Sequence, residues 1–152
     1  IAFNEMNSMN DNKIFLDTNL WVYLYSNNSP TKTQKVKQIV ATHYHHLMVS
    51  TQVLGELYHV LTRKNLQTHV AAKEIIVTTI ATFPVSEVGT LMVVKALELR
   101  DHYNYSYWDS LLIATALLNG CQQLYSEDMQ HDQLIENKIR IINPFRESSQ
   151  NT

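Results

Sequence analysis

The chain of 152 residues has one cysteine, three glycines and three prolines, and each scarcity excludes something. Cys121 has no partner with which to close an internal disulfide, so a reducing, cytoplasmic setting is the expectation. So few glycines and prolines leave no room for long linkers or low-complexity segments, apart from the polar tail at 147–152. Charge of one sign is also lacking: 12 basic side chains stand against 14 acidic ones, for a net charge of −2. That balance excludes a global positive field, and any contact with nucleic acid has to be local. The longest apolar runs, such as Leu111 to Leu118, fall far short of the roughly 20 residues of a membrane-crossing helix, so no membrane association is expected. No charged-then-apolar leader precedes a small-residue cleavage site, and the chain opens on Ile1, with Met6 and Met9 as candidate natural starts. We therefore read residues 1–12 as an N-terminal extension, 13–146 as one domain and 147–152 as a tail. With 45% hydrophobic residues, that length suffices for one well-buried core.

What is present alternates. The run Lys13 to Leu16 reads as a strand that stops at Asp17-Thr18-Asn19, helix-capping chemistry, before a short helix over Leu20 to Tyr25. Lys32 to His46 carries Val36, Ile39, Val40 and His43 at helical spacing, and Leu47 to Val49 is a brief strand. Ser50 or Thr51 caps a helix reaching about Lys64 with Val53, Leu57, Val60 and Leu61 as its stripe. Thr68 opens a helix to about Ala81, Pro84-Val85 is extended, and Thr90 to Tyr103 is a further amphipathic helix. Ser106 and Asp109 have the spacing of a capping box ahead of Leu111 to Leu118, which stops at Asn119-Gly120. Gln123 to Tyr125 and Ile139 to Ile142 are the last strands expected. Short strands separated by helices predict an α/β fold, a three-layer α/β/α sandwich around a mainly parallel sheet.

In such sheets ligands gather outside the carboxyl ends of the strands, where Asp17 and Asp128 both fall. Glu56 and Asp109 lie in the first two turns of helices that begin on that rim, and each interrupts an apolar stripe. Singly, each acid has a plainer role: Asp17 as an N-cap, Asp109 as half of a capping box, Glu56 as a solvated edge residue, Asp128 as a turn acid. Jointly they point to a site, because an inward carboxylate needs a cation, a hydrogen-bond network or a shifted pKa to offset its burial. Oxygen donors without Cys or paired His suit Mg²⁺ or Mn²⁺, and the reaction class such an ion serves is phosphodiester hydrolysis.

The segments Lys13-Ile14-Phe15-Leu16-Asp17-Thr18-Asn19, the helical Glu56, Tyr107-Trp108-Asp109-Ser110-Leu111-Leu112-Ile113-Ala114 and Tyr125-Ser126-Glu127-Asp128-Met129-Gln130 together resemble the PIN domain of toxin–antitoxin ribonucleases, the VapC-like group. The resemblance spans Lys13 to Phe145. It implies a metal-dependent endoribonuclease with Asp17, Glu56, Asp109 and Asp128 as catalytic and metal-binding acids, supported by hydrogen bonds from Thr18, Asn19 and Ser126. It also implies an RNA substrate, a cognate antitoxin protein seated in the acidic groove, and a homodimer. One departure stands out: many relatives carry glycine where this chain has Asp132.

Other features have plainer readings. His43, His45 and His46 do not share a helix face and are not expected to bind zinc. Tyr103, Tyr105 and Tyr107 either stack on bases or, as we favour, belong to the core or a partner. Lys32, Lys35 and Lys37, like Arg63 and Lys64, read as solvated charges rather than phosphate contacts. Cys121 reads as a small buried side chain, not a nucleophile. The competing function is a catalytically weak or inactive PIN-like module that holds RNA or protein without cutting. Another Mg²⁺-dependent phosphotransfer fold is disfavoured, since Asp17-Thr18-Asn19 lacks a second acid and no glycine-rich phosphate loop occurs.

Overall fold

A computed structural model of the chain describes residues 12–146, so the expectations for residues 1–11 and for the tail lie outside the described residues. Strand β1 (Ile14–Leu16) is buried at every position, as a central parallel strand covered on both faces must be. Helix α1 (Thr18–Leu24) starts at once, because Asp17 accepts a hydrogen bond from the Thr18 amide and caps it. Helix α2 (Pro30–His43) has proline at its first position, where no amide is needed, and buries Val36 and Ile39. A single 3₁₀ turn, Tyr44–His46, leads to β2 (Leu47–Ser50). The Ser50 side chain accepts from the Val53 amide and starts α3 (Thr51–Arg63). Thr68 caps α4 (His69–Thr82) in the same way, and β3 (Val85–Ser86) follows. Helices α5 (Thr90–Tyr103) and α6 (Tyr107–Leu118) pack on one another ahead of β4 (Gln123–Tyr125). A hairpin of β5 (Leu134–Ile135) and β6 (Ile139–Ile142) completes the sheet.

The sheet runs β3-β2-β1-β4-β6-β5, parallel throughout except for the antiparallel β5 edge. From β1 the chain first builds outward through β2 and β3, then returns to lay β4 on β1's other side. The junction of β1 and β4 is therefore the switch point where a crevice opens at the carboxyl ends. Backbone bonds carry the pairing just past the strands: the Asp17 amide donates to Tyr125 O at 2.9 Å and the Ser126 amide to Ile142 O at 2.9 Å. Asp17 and Ser126 are thus held side by side on the rim.

The expected α/β/α architecture is the one observed, with differences in detail. Leu54, not Val60, joins Val53, Leu57 and Leu61 as the fully buried residues of α3, and Val60 is half-buried. Helix α5 buries one face, with Ala96 and Leu99 fully buried and Met92 and Tyr103 packed against the core, but its other face is apolar as well: Leu91, Val94 and Leu97 face solvent. Strand β5 was not expected from the sequence. Its turn places Glu136 and Asn137 at φ 50° and 55°, closed by the Lys138 amide on Ile135 O at 3.0 Å. Two consecutive positive-φ residues closed in this way are what a type I′ turn requires, here within a three-residue connection between the paired Ile135 and Ile139, and in a stretch without the Asn-Gly or Asp-Gly pair that normally signals such a turn. No helix among the described residues is long and apolar enough to cross a membrane.

Candidate active site

The rim at the switch point begins with Asp17. Its carboxylate accepts from the Thr18 amide at 2.6 Å and from the Ser126 hydroxyl at 2.8 Å, and only 7% of the residue is exposed. The plain N-cap reading and the site reading are therefore both true of one side chain, since one oxygen caps α1 while the other meets β4's end. Burial is the largest influence on this acid and pushes its pKa up to about 6, with the negative charges of Asp109 and Glu56 adding to the rise. The bonds from Ser126 and Thr18 act the other way without cancelling it, and among the described residues no cationic side chain acts on Asp17.

Glu56 comes from α3, where it sits half-buried at the edge of the apolar stripe. Its two oxygens are held separately, one by the Thr18 hydroxyl at 2.5 Å and one by the Gln52 amide at 3.0 Å. The same Gln52 amide donates to Trp108 O at 3.1 Å, which links α3 to the first turn of α6. Sequence reasoning missed Gln52; its signal was the i, i+4 spacing to Glu56, which places both on one helix face.

Asp109 lies in the first turn of α6, and its amide donates to the Ser106 hydroxyl at 3.1 Å. Of the expected capping box, this half is the one observed. Burial raises the Asp109 pKa most, the Ser106 hydroxyl opposes it, and the charges of Asp128 and Glu56 raise it further. Asp128 is exposed on the loop after β4, where the Asn19 side-chain amide donates to it and its own amide meets the Ser126 hydroxyl at 3.3 Å. The fold thus brings Asp17, Glu56 and Asp109 within electrostatic reach of one another, and Asp128 within reach of Asp109. Thr18, Asn19 and Ser126 each contribute a side-chain hydrogen bond to one of them.

The loop carrying Asp128 is braced from both sides. Glu127 pairs with Lys32 from α2 and accepts from the Tyr23 hydroxyl at 2.6 Å. The Lys32 ammonium also lies 5.3 Å from the Tyr23 ring centre and 5.2 Å from that of Phe145. Burial pushes Glu127 up, but the bonds from Lys32 and Tyr23 to its charged form hold its pKa below the ordinary value. On the other side Tyr105 donates to the Gln133 side chain and accepts from the Gln130 amide at 3.1 Å, while Tyr103 accepts from the Glu136 amide at 3.0 Å. Lys32 is accordingly not the solvated charge the sequence suggested, whereas Lys35 and Lys37 are exposed. Tyr103, Tyr105 and Tyr107 pack partly against the core. Cys121 is buried and its thiol is pushed up to about 12 by that burial, an inert group.

Among the described residues, no three Asp, Glu, His or Cys side chains close on one point tightly enough to hold a metal ion by themselves. The donor chemistry nevertheless fits a hard divalent ion. All the groups are carboxylates, the most buried one lacks a compensating cation, and Mg²⁺ takes one or two carboxylates while keeping several waters.

Solved structures share this fold. VapC20 of Mycobacterium tuberculosis, a sarcin–ricin-loop-cleaving toxin, is 27% identical with a TM-score of 0.62, over 74% of this chain and 87% of that one. A chain of a toxin–antitoxin complex from Klebsiella pneumoniae is 16% identical with a TM-score of 0.67, over 88% and 98%. A chain of DNA-bound VapBC from Salmonella typhimurium is 16% identical with a TM-score of 0.62, over 86% and 96%. Comparison with curated proteins gave no match. The PIN domain family matches residues 14–136, a span that takes in β1, all six helices and every acid of the rim, and the chain belongs to that family.

Proposed function

We propose that the chain is a metal-dependent endoribonuclease, the toxin of a toxin–antitoxin pair. The observation that carries this reading is the gathering of carboxylates at the β1–β4 switch point, where Asp17 is buried and bonded to Ser126 and Thr18, Thr18 in turn holds Glu56, and Asp109 lies within electrostatic reach of both, with no compensating cationic side chain among the described residues. A protein that spends stability on uncompensated carboxylates has arranged them for something positively charged. Mg²⁺ or Mn²⁺ held by Asp17 and Asp109, with Glu56 and Asp128 alongside, would neutralise phosphate charge and lower the pKa of a bound water. The chain's own part is positioning. Ser126 and the Thr18 amide aim Asp17, Thr18 and Gln52 fix Glu56 between them, and Asn19 steers Asp128. The likeness to VapC20, a toxin that cleaves the sarcin–ricin loop, supports RNA as substrate, and the toxin–antitoxin complexes among the related structures support a cognate antitoxin. A homodimer and a cytoplasmic setting complete the proposal.

The test is cleavage of RNA by the purified chain with Mg²⁺ or Mn²⁺, comparing wild type with Asp17→Asn and Asp109→Asn. We expect each substitution to lower kcat by on the order of a hundredfold or more. Equal rates in all three proteins would remove the reading. A second reading, an inactive PIN-like module that holds RNA or protein, draws on the lack of a closed ligand shell. It predicts no carboxylate-dependent Mn²⁺ binding by calorimetry.

A further inference from the structure

Of the two tryptophans, Trp21 is 1% exposed in the core and Trp108 is 63% exposed, one residue before Asp109. Indole is the largest apolar side chain, and leaving it in water has a cost that the core has no part in recovering. Here the backbone that carries the ring is also held in place. Its backbone carbonyl accepts from Gln52, the residue that fixes Glu56, and the Tyr107 ring meets it edge-on at 5.1 Å and 75°. Being in the first turn of α6 removes most backbone freedom as well. The outcome is an aromatic plate on a fixed stretch of backbone, standing in solvent at the lip of the acidic rim.

Resting on the nuclease reading above, we infer that Trp108 is a substrate-positioning platform on which one unpaired base of a single-stranded RNA segment stacks, next to the phosphate presented to Asp109. The charge balance supports this. At −2 the chain has no global positive field to hold RNA, and the rim itself is negative, so local terms beyond phosphate attraction have to add to affinity. Base–aromatic stacking is such a term, tolerant of sequence and insensitive to the sign of the nearby charge. It also selects for substrate that is unpaired, because a base inside a duplex keeps its faces covered.

The experiment uses the two tryptophans themselves. Short single-stranded RNA is titrated into the Asp17→Asn protein while the emission of the exposed indole is followed, and cleavage kinetics are measured for wild type, Trp108→Ala, Trp108→Leu and Trp108→Phe. RNA should quench the solvent-exposed emission, and a matched duplex should quench it far less. Trp108→Ala and Trp108→Leu should raise KM roughly tenfold with kcat within about twofold, and Trp108→Phe should recover much of the loss. Removing one base from the RNA at the stacked position should reproduce the Trp108→Ala effect without adding to it. Unchanged KM in Trp108→Ala overturns the inference, as does a kcat loss alone. So does a change in oligomeric state with RNA binding intact, which would assign the indole to a protein interface. If wild type cuts no RNA, the nuclease reading fails by itself: quenching by single strands would still support the platform, and its absence would overturn that too.

Discussion

Helices α5 and α6 lie against each other and are both rich in apolar residues, yet they end in opposite states. Every residue from Ser110 to Leu117 of α6 is buried, whereas α5 leaves Leu91 76%, Val94 52% and Leu97 52% exposed. The difference is one of place. Helix α6 leads straight into β4 beside the sheet's centre, with core on every side, and its first turn projects Asp109 onto the rim. Helix α5 packs outside it and has no further layer among the described residues to cover its second face. The buried centre of the molecule makes the site rigid, and the periphery is free to present surface.

The comparison breaks most readily by cavity formation. Ile113→Ala in α6 should destabilise the protein by about 2–5 kcal/mol in denaturant unfolding, while Val94→Ala in α5 should stay within about 0.5 kcal/mol. Similar losses at both would mean that α5 is covered in solution, by a second copy or a partner.

A second contrast lies within the buried centre, between its apolar residues and Asp17. The folded-state pKa of Asp17 is about 6 against an ordinary 3.8, so the fold favours the neutral acid. The stability tied to that protonation is complete below pH ~4 and lost as pH rises through ~6, up to about 3 kcal/mol. Asp17→Asn, which keeps the shape without the charge and can donate to a rotated Ser126 hydroxyl while its oxygen still accepts from the Thr18 amide, should therefore raise the melting temperature at pH 7.5 and change it little at pH 4. Mn²⁺ should raise the melting temperature of wild type at pH 7.5 and not that of Asp17→Asn. A pH-independent difference between the two proteins would show that the buried carboxyl carries no such penalty.

The smallest effect belongs to the sheet's far edge. Asp132 sits at φ 64°, a left-handed conformation that glycine adopts freely and aspartate tolerates, with its amide on Ile141 O at 2.8 Å. This is the physical content of the glycine that the resemblance leads one to expect there. Asp132→Gly should shift stability by less than about 1 kcal/mol in either direction and leave cleavage unchanged. A large loss would mean that the exposed carboxylate has a role beyond its half-buried neighbour His131.

Much of this was legible in advance, for reasons that differ from residue to residue. The strand at 14–16, the cap at Asp17, the helix over 107–118 and the strand at 123–125 are written in local chemistry: short β-branched or aromatic runs, a side chain that caps, a glycine at φ 75° after a helix end. Of the hairpin at 134–142 the second strand was expected, while the first strand and the turn were hidden because Glu136 and Asn137 adopt positive φ without a glycine, so tertiary pairing overrode turn propensity. Lys32 looked like one of three solvated lysines, because sequence spacing carries no information about Glu127, almost a hundred positions away in the chain.

The order of residues alone determined where strands stop and helices begin, and hence that Asp17, Glu56, Asp109 and Asp128 each stand at or near such a boundary, because caps and strand ends are settled by a few neighbouring atoms. Only the tertiary structure decided that these boundaries share one rim, that Gln52 ties two of the helices bearing them, and that Trp108 is left in water while Trp21 is not. Those outcomes depend on which elements lie side by side, and burial is a property of the assembled layers that no single stretch of chain contains.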